Sequence, residues 1–161
     1  MFRTRPFPSW AAVFAAAFMT VTIAYAHVVV RPKESVAGAS EKYTMRVPTE
    51  RNSATVRIEV EFPTAVEISA VDQKAGWNVE QRKDASGKIV SAIWSGSSIA
   101  PREVNEFSFA ARNPSEETEL VWKVIQVYAD GSRSEWTGPA GSRTPASVTA
   151  VKKAAADHSR P

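Results

Sequence analysis

Residues 56–62 read Val-Arg-Ile-Glu-Val-Glu-Phe, and this strict alternation limits the fold more than any other stretch of the 161-residue chain. A period of two sends Val56, Ile58, Val60 and Phe62 to one face of a strand and Arg57, Glu59 and Glu61 to the other, a division that a helix cannot make. Shorter segments of the same kind fall at 28–30, 43–47, 66–71, 77–82, 89–94, 107–111, 120–128, 135–137 and 147–151. Turn chemistry separates them: Ser86-Gly87, Asn113-Pro114 and, most clearly, Asp130-Gly131, where glycine accepts the positive φ that a tight hairpin requires. Many short strands at near-regular spacing predict a single all-β domain, an immunoglobulin-like antiparallel β-sandwich. Trp77, Trp94 and Trp122 fall in these strands and are expected to fill its core, since aromatic rings bury large areas.

The first 26 residues do not share the pattern. Arg3 and Arg5 precede an apolar run over 10–24, and Ala24, Tyr25 and Ala26 form the small-x-small pattern that suits a signal peptidase, so 1–26 reads as a leader cleaved after Ala26. An uncleaved N-terminal anchor is the weaker alternative, because the run is short and alanine-rich. The mature protein is then expected to be periplasmic or extracellular, with its domain at 27–151 and a charged, alanine-rich tail at 152–161 expected to be disordered. Twenty basic residues, less the two in the leader, against seventeen acidic ones leave a formal net charge of +1 in place of +3, which offers no argument for nucleic acid as a partner. The chain has no cysteine, so export brings no disulfide framework, and no thiolate is available as metal ligand or nucleophile.

Cleavage after Ala26 changes the chemistry of His27. A terminal histidine carries a free α-amine beside its imidazole, and the two nitrogens can close a chelate ring on one metal ion, which an internal histidine cannot do. Nitrogen donors with oxygen in a flattened geometry suit Cu(II), which heads the divalent affinity order, with Zn(II) and Ni(II) as competitors. The amine titrates near 7.7 to 8.0, so displacing its proton at neutral pH costs roughly 1 kcal/mol, minor beside the roughly 10 kcal/mol typical of a metal site. Met45 is the only methionine after the leader, which disfavours a methionine-rich Cu(I) site. Taken alone, Glu50 in the stretch RVPTERN reads as a solvated loop carboxylate, and Trp136 in DGSRSEWTGP as a packing tryptophan.

Together HVVVRPKESVAGASEKYTMRVPTE, FPTAVEISAV, GWNVE, IWSG, EFSFAARNP and WKVIQVYADGSRSEWTGP, in this order, resemble the YcnI-like family of exported copper-binding proteins. The resemblance covers nearly all of the chain after residue 26. It implies the immunoglobulin-like sandwich and a Cu(II) site of the single-histidine brace type. The implied ligands are the amine and imidazole of His27 with the carboxylate of Glu50 from the VPTE segment, and Trp136 is the tryptophan lying close to the ion. An indole near a cation contributes roughly 0.5 to 2 kcal/mol and limits water access. Arg46, Gln126 and Tyr128 are candidates to support these groups, none of them singled out. Many relatives end in a membrane anchor, whereas this chain ends KKAAADHSRP; His158 in that tail reads as a solvated residue.

The function expected is therefore non-enzymatic: an exported protein of copper acquisition or homeostasis, exchanging the ion with a membrane copper transporter or another envelope copper protein, its oligomeric state left open. One alternative is a copper redox enzyme, disfavoured because no second histidine stands outside the tail. The other is a metal-free immunoglobulin-like interaction module. Hydrolytic catalysis would need His27 as the base of a serine nucleophile and an orienting acid that no motif supplies.

Overall fold

The computed structural model describes residues 27–154; the expected leader, and residues 155–161 with His158, lie outside the described residues. Eleven strands form two sheets. The smaller sheet contains β1 (Val29–Arg31), β3 (Ser40–Pro48), β8 (Val104–Arg112) and β5 (Glu67–Val71), in the order β1-β3-β8-β5. The larger contains β2 (Glu34–Val36), β11 (Ser147–Lys152), β9 (Thr118–Tyr128), β4 (Thr55–Glu61), β7 (Ile89–Ile99) and β6 (Asn78–Lys83), in the order β2-β11-β9-β4-β7-β6, while β10 (Arg133–Trp136) pairs with the C-terminal half of β9. All strand pairs are antiparallel except β2 with β11. This is the predicted β-sandwich.

Its core follows from the alternation. Along β9, Leu120, Trp122, Val124, Gln126 and Tyr128 are buried and point between the sheets, whereas the intervening residues face outward or are half-exposed. Trp122, Tyr43, Phe109 and Phe62 pack as one aromatic group, with Tyr43 and Trp122 centroids 4.7 Å apart; Trp94 and Trp77 enclose Phe107 in a second, each 5.2 Å from it. The three tryptophans expected in the core are there.

Several strands outrun their expected bounds, as β7 continues past residue 94 to Ile99, β3 spans Ser40–Pro48 and β10 begins at Arg133, and the chain differs from its sequence reading in three further places. The short strand β2 was not anticipated: between Arg31 and Glu34, at a cis Arg31–Pro32 peptide, the chain leaves the smaller sheet and joins the larger one. The crossing is held by polar groups no periodicity displays, as Val30 N donates to Ser147 Oγ (2.8 Å) and Thr149 Oγ1 donates to Pro32 O (2.8 Å). The last ladder also runs through Lys152, which pairs with Val36, so the strand passes the boundary expected at residue 151 by one residue. Finally, Val56 does not continue the inward series of Ile58 and Val60. Thr55 pairs with Tyr128 and Arg57 with Val127, so Val56 is an extra residue on β4, a bulge that leaves it half-buried and turns Thr55 fully inward.

Candidate functional site

The bulge matters because of what Thr55 meets. Gln126 is completely buried in an otherwise apolar inward series, and its amide is fully used: Nε2 donates to Thr55 Oγ1 (2.6 Å) and to Pro48 O (2.9 Å), and Oε1 accepts from Trp136 Nε1 (3.0 Å). Thr55 Oγ1 in turn shares a hydrogen bond with Thr49 Oγ1 (2.7 Å), itself buried. A buried polar group is tolerated only when partnered, and this chain of bonds satisfies each member. It ties the end of β3, the start of β4, the C-terminal half of β9 and the end of β10 into one unit.

His27 lies against that unit. It immediately precedes Val28, which is buried in the core, and is itself half-buried. Because β1 runs antiparallel to β3 with Val29 opposite Arg46, the chain on the N-terminal side of Val29 runs toward the Pro48 end of β3. There the imidazole meets the indole of Trp136, with centroids 5.7 Å apart and planes tilted by 57°. Since the indole N–H is spent on Gln126, what Trp136 brings to His27 is its π system. Trp136 is 7% exposed and belongs to the core cluster, so it is at once a packing residue and a neighbour of the histidine.

Glu50 is exposed on the loop between β3 and β4, one residue beyond Thr49. The loop is fastened on two sides. Thr49 N donates to Glu103 O (2.9 Å) and Arg102 N donates to Thr49 O (2.7 Å). Toward the β9–β10 hairpin, Ala129 N donates to Ala54 O (2.8 Å), Asp130 N to Ser53 Oγ (3.1 Å) and Arg51 Nη1 to Ser132 Oγ (3.1 Å), with the Arg51 guanidinium 4.8 Å from the Tyr128 ring centroid. The hairpin that carries Trp136 and the loop that carries Glu50 are thus laced together. Within the hairpin, Asp130 Oδ1 accepts from the amide and hydroxyl of Ser132, which holds its carboxyl below the usual range.

The structure therefore joins His27 to Trp136 by ring contact and places Glu50 at the same end of the sandwich. Of the three supporting candidates, only Gln126 bonds to the predicted set. Arg46 is exposed on β3, and Tyr128 shares its hydroxyl with Ser134 (3.1 Å). Thr55 and Thr49 were missed; a polar residue at the inward phase of 122, 124, 126 and 128 was the available signal for Gln126, but the bulge that recruits Thr55 leaves none. Among the described residues no three His, Cys, Asp or Glu side chains form a metal cluster. The metal donors of the expected set that this end presents are the His27 imidazole and, on the β3–β4 loop, the Glu50 carboxylate; the main-chain nitrogen of residue 27 can be a third donor only at a free terminus. A groove of about 560 Å³ between Val66–Ile68 and Lys83–Ile89 shares no residue with it.

The fold and this end of it define an immunoglobulin-like sandwich that holds a histidine against a hydrogen-bonded tryptophan where its N-terminal strand begins. A family model described as a domain of unknown function, DUF1775, matches residues 27–157, and the chain belongs to that YcnI-like family. It is 39% identical over 133 residues to the copper-binding protein CutI of Bacillus subtilis (strain 168), an alignment that covers 81% of this chain and 65% of that protein. Among solved structures, an uncharacterized protein from Nocardia farcinica with an immunoglobulin-like fold superposes with a TM-score of 0.69 at 24% identity, over 78% of this chain and 97% of that one. A non-cellulosomal cohesin from Archaeoglobus fulgidus gives 0.51 at 10% identity, over 79% and 91%. These two likenesses speak to fold alone.

Proposed function

We propose that this chain binds copper, as Cu(II), through the α-amine and imidazole of His27 and the carboxylate of Glu50, with Trp136 beside the ion. The observation that carries the reading is the ring contact of His27 with Trp136, at the end where the Glu50 loop is fastened to the tryptophan hairpin. The copper-binding relative at 39% identity supports the choice of metal. The amine requires that the leader be removed after Ala26, so the reading includes export to the periplasm or the extracellular space. The role is binding and hand-over: copper is cargo, exchanged with a membrane transporter or another envelope copper protein. Preorganisation suits that role, because donors already held by β1 and the β3–β4 loop lose little freedom when the ion arrives.

The test is made on protein secreted with its own leader. Intact mass should place the first residue at His27, and titration followed by electron paramagnetic resonance should show one Cu(II) per chain. His27→Ala, or a single residue left ahead of His27, should abolish the site. Equal binding by the extended chain would remove the amine from the account.

A further inference from the structure

We propose that Gln126 is the positioning residue of this site, setting the indole of Trp136 against His27 and coupling it to the strand end that leads into Glu50; its relevance to copper rests on the reading above. The partners dictate the amide's orientation. The Trp136 N–H can only donate, so Oε1 faces it; the Pro48 carbonyl can only accept, so Nε2 faces that. The second proton of Nε2 goes to Thr55 Oγ1, whose bond to Thr49 Oγ1 reaches the residue before Glu50. A neutral amide is the side chain that accepts at one end and donates twice at the other across this gap. A carboxylate would leave Pro48 O without a donor and bury a charge, whereas lysine and arginine cannot accept from the indole. Asparagine is one methylene shorter. Gln126 thus fixes the indole through its single polar atom and holds the base of the Glu50 loop, and groups that orient a metal's surroundings typically alter affinity by roughly 10 to 100-fold.

The experiment compares the wild-type mature chain with Gln126→Leu and Gln126→Met, each checked for cooperative melting. In metal-free protein, nuclear magnetic resonance of the His27 ring protons reads the indole directly through its ring current. We expect Gln126→Leu to move these resonances toward solvent-exposed values, to weaken Cu(II) binding about tenfold with one ion still bound, and to change the copper hyperfine splitting. Gln126→Met keeps the indole whose ring current is read and the length of the side chain at 126 but removes the carbonyl that accepts from Trp136 Nε1; it should loosen the same ring contact, and it carries the test if Gln126→Leu does not fold. Folded variants with unchanged His27 resonances overturn the proposal. Metal-free shifts as expected in a chain that takes up no Cu(II) would support the positioning role and overturn the copper reading, so the two fail separately.

Discussion

At the scale of single residues, the site end depends on positions where side-chain size or backbone sign is tightly limited. Thr55 is one. Thr55→Val keeps the shape but removes the hydroxyl, leaving Gln126 Nε2 and Thr49 Oγ1 each short of a partner; a loss of about 1 to 3 kcal/mol in denaturant unfolding is expected. Gly138, two residues past Trp136, is another, because a Cβ there would collide with Ser142 Oγ and lie 3.1 Å from Thr144 O. Its N–H donates to Thr144 O and its carbonyl accepts from Ala146 N, so the loop cannot simply swing away. Gly138→Ala should cost about 1 to 3 kcal/mol, seen as a lower melting temperature. Arg102 poses the reverse case. It holds φ of 68° in the turn that bonds to Thr49, a conformation that costs a non-glycine residue roughly 1 kcal/mol, so Arg102→Gly should stabilise the fold by about that amount in the same measurement.

At the scale of elements, the β9–β10 hairpin is the arm that presents Trp136, and its turn is built from Asp130, Gly131 and Ser132. Gly131 has φ of 81°, and the carboxylate of Asp130 gathers the Ser132 amide and hydroxyl. The Asp130 carboxyl titrates below its ordinary value of 3.8 in the folded chain. Its contribution is therefore complete above that value and is lost as the pH falls through the lower folded one. Tryptophan fluorescence followed from pH 5 to pH 2 should show a change that Asp130→Asn removes from the acid end. The hairpin was readable in advance, because Asp-Gly between two alternating runs is a local signal. The lacing of this turn to the Glu50 loop through Ser53, Ala54 and Arg51 was not, because it joins residues about eighty positions apart whose types would suit any exposed loop.

At the scale of the whole molecule, the two sheets are joined through buried hydroxyls and amides as well as aromatic packing. Tyr43 is fully buried and donates to Asn113 Oδ1 (2.6 Å), and burial raises its hydroxyl above the ordinary value of 10.0. A group that stays protonated longer in the folded chain contributes stability below pH 10 that is lost as the pH rises through its folded value. Lys33 works against this just below pH 10.5, since burial and the neighbouring Arg31 lower its ammonium and favour the folded chain as it deprotonates. Melting curves between pH 9 and 12 should therefore fall on the alkaline side, and Tyr43→Phe should flatten that fall. On the proposed function, copper acts on the same equilibrium. If the folded chain alone binds it, free Cu(II) at a hundred times the dissociation constant adds about 2.7 kcal/mol, and a melting temperature indifferent to the ion would favour a metal-free module.

The sequence by itself determined every strand but β2, the sandwich and most of the inward-facing core, because alternation is a local property and burial follows it wherever two sheets must cover each other. Family resemblance pointed to His27, Glu50 and Trp136. Only the tertiary structure decided that Trp136 rests on His27, more than a hundred residues away, and that Gln126, Thr55 and Thr49 become its buried supports. A one-residue bulge on β4 reverses which side chain points inward, and such a shift in register is settled by neighbouring strands rather than by the residues that make it.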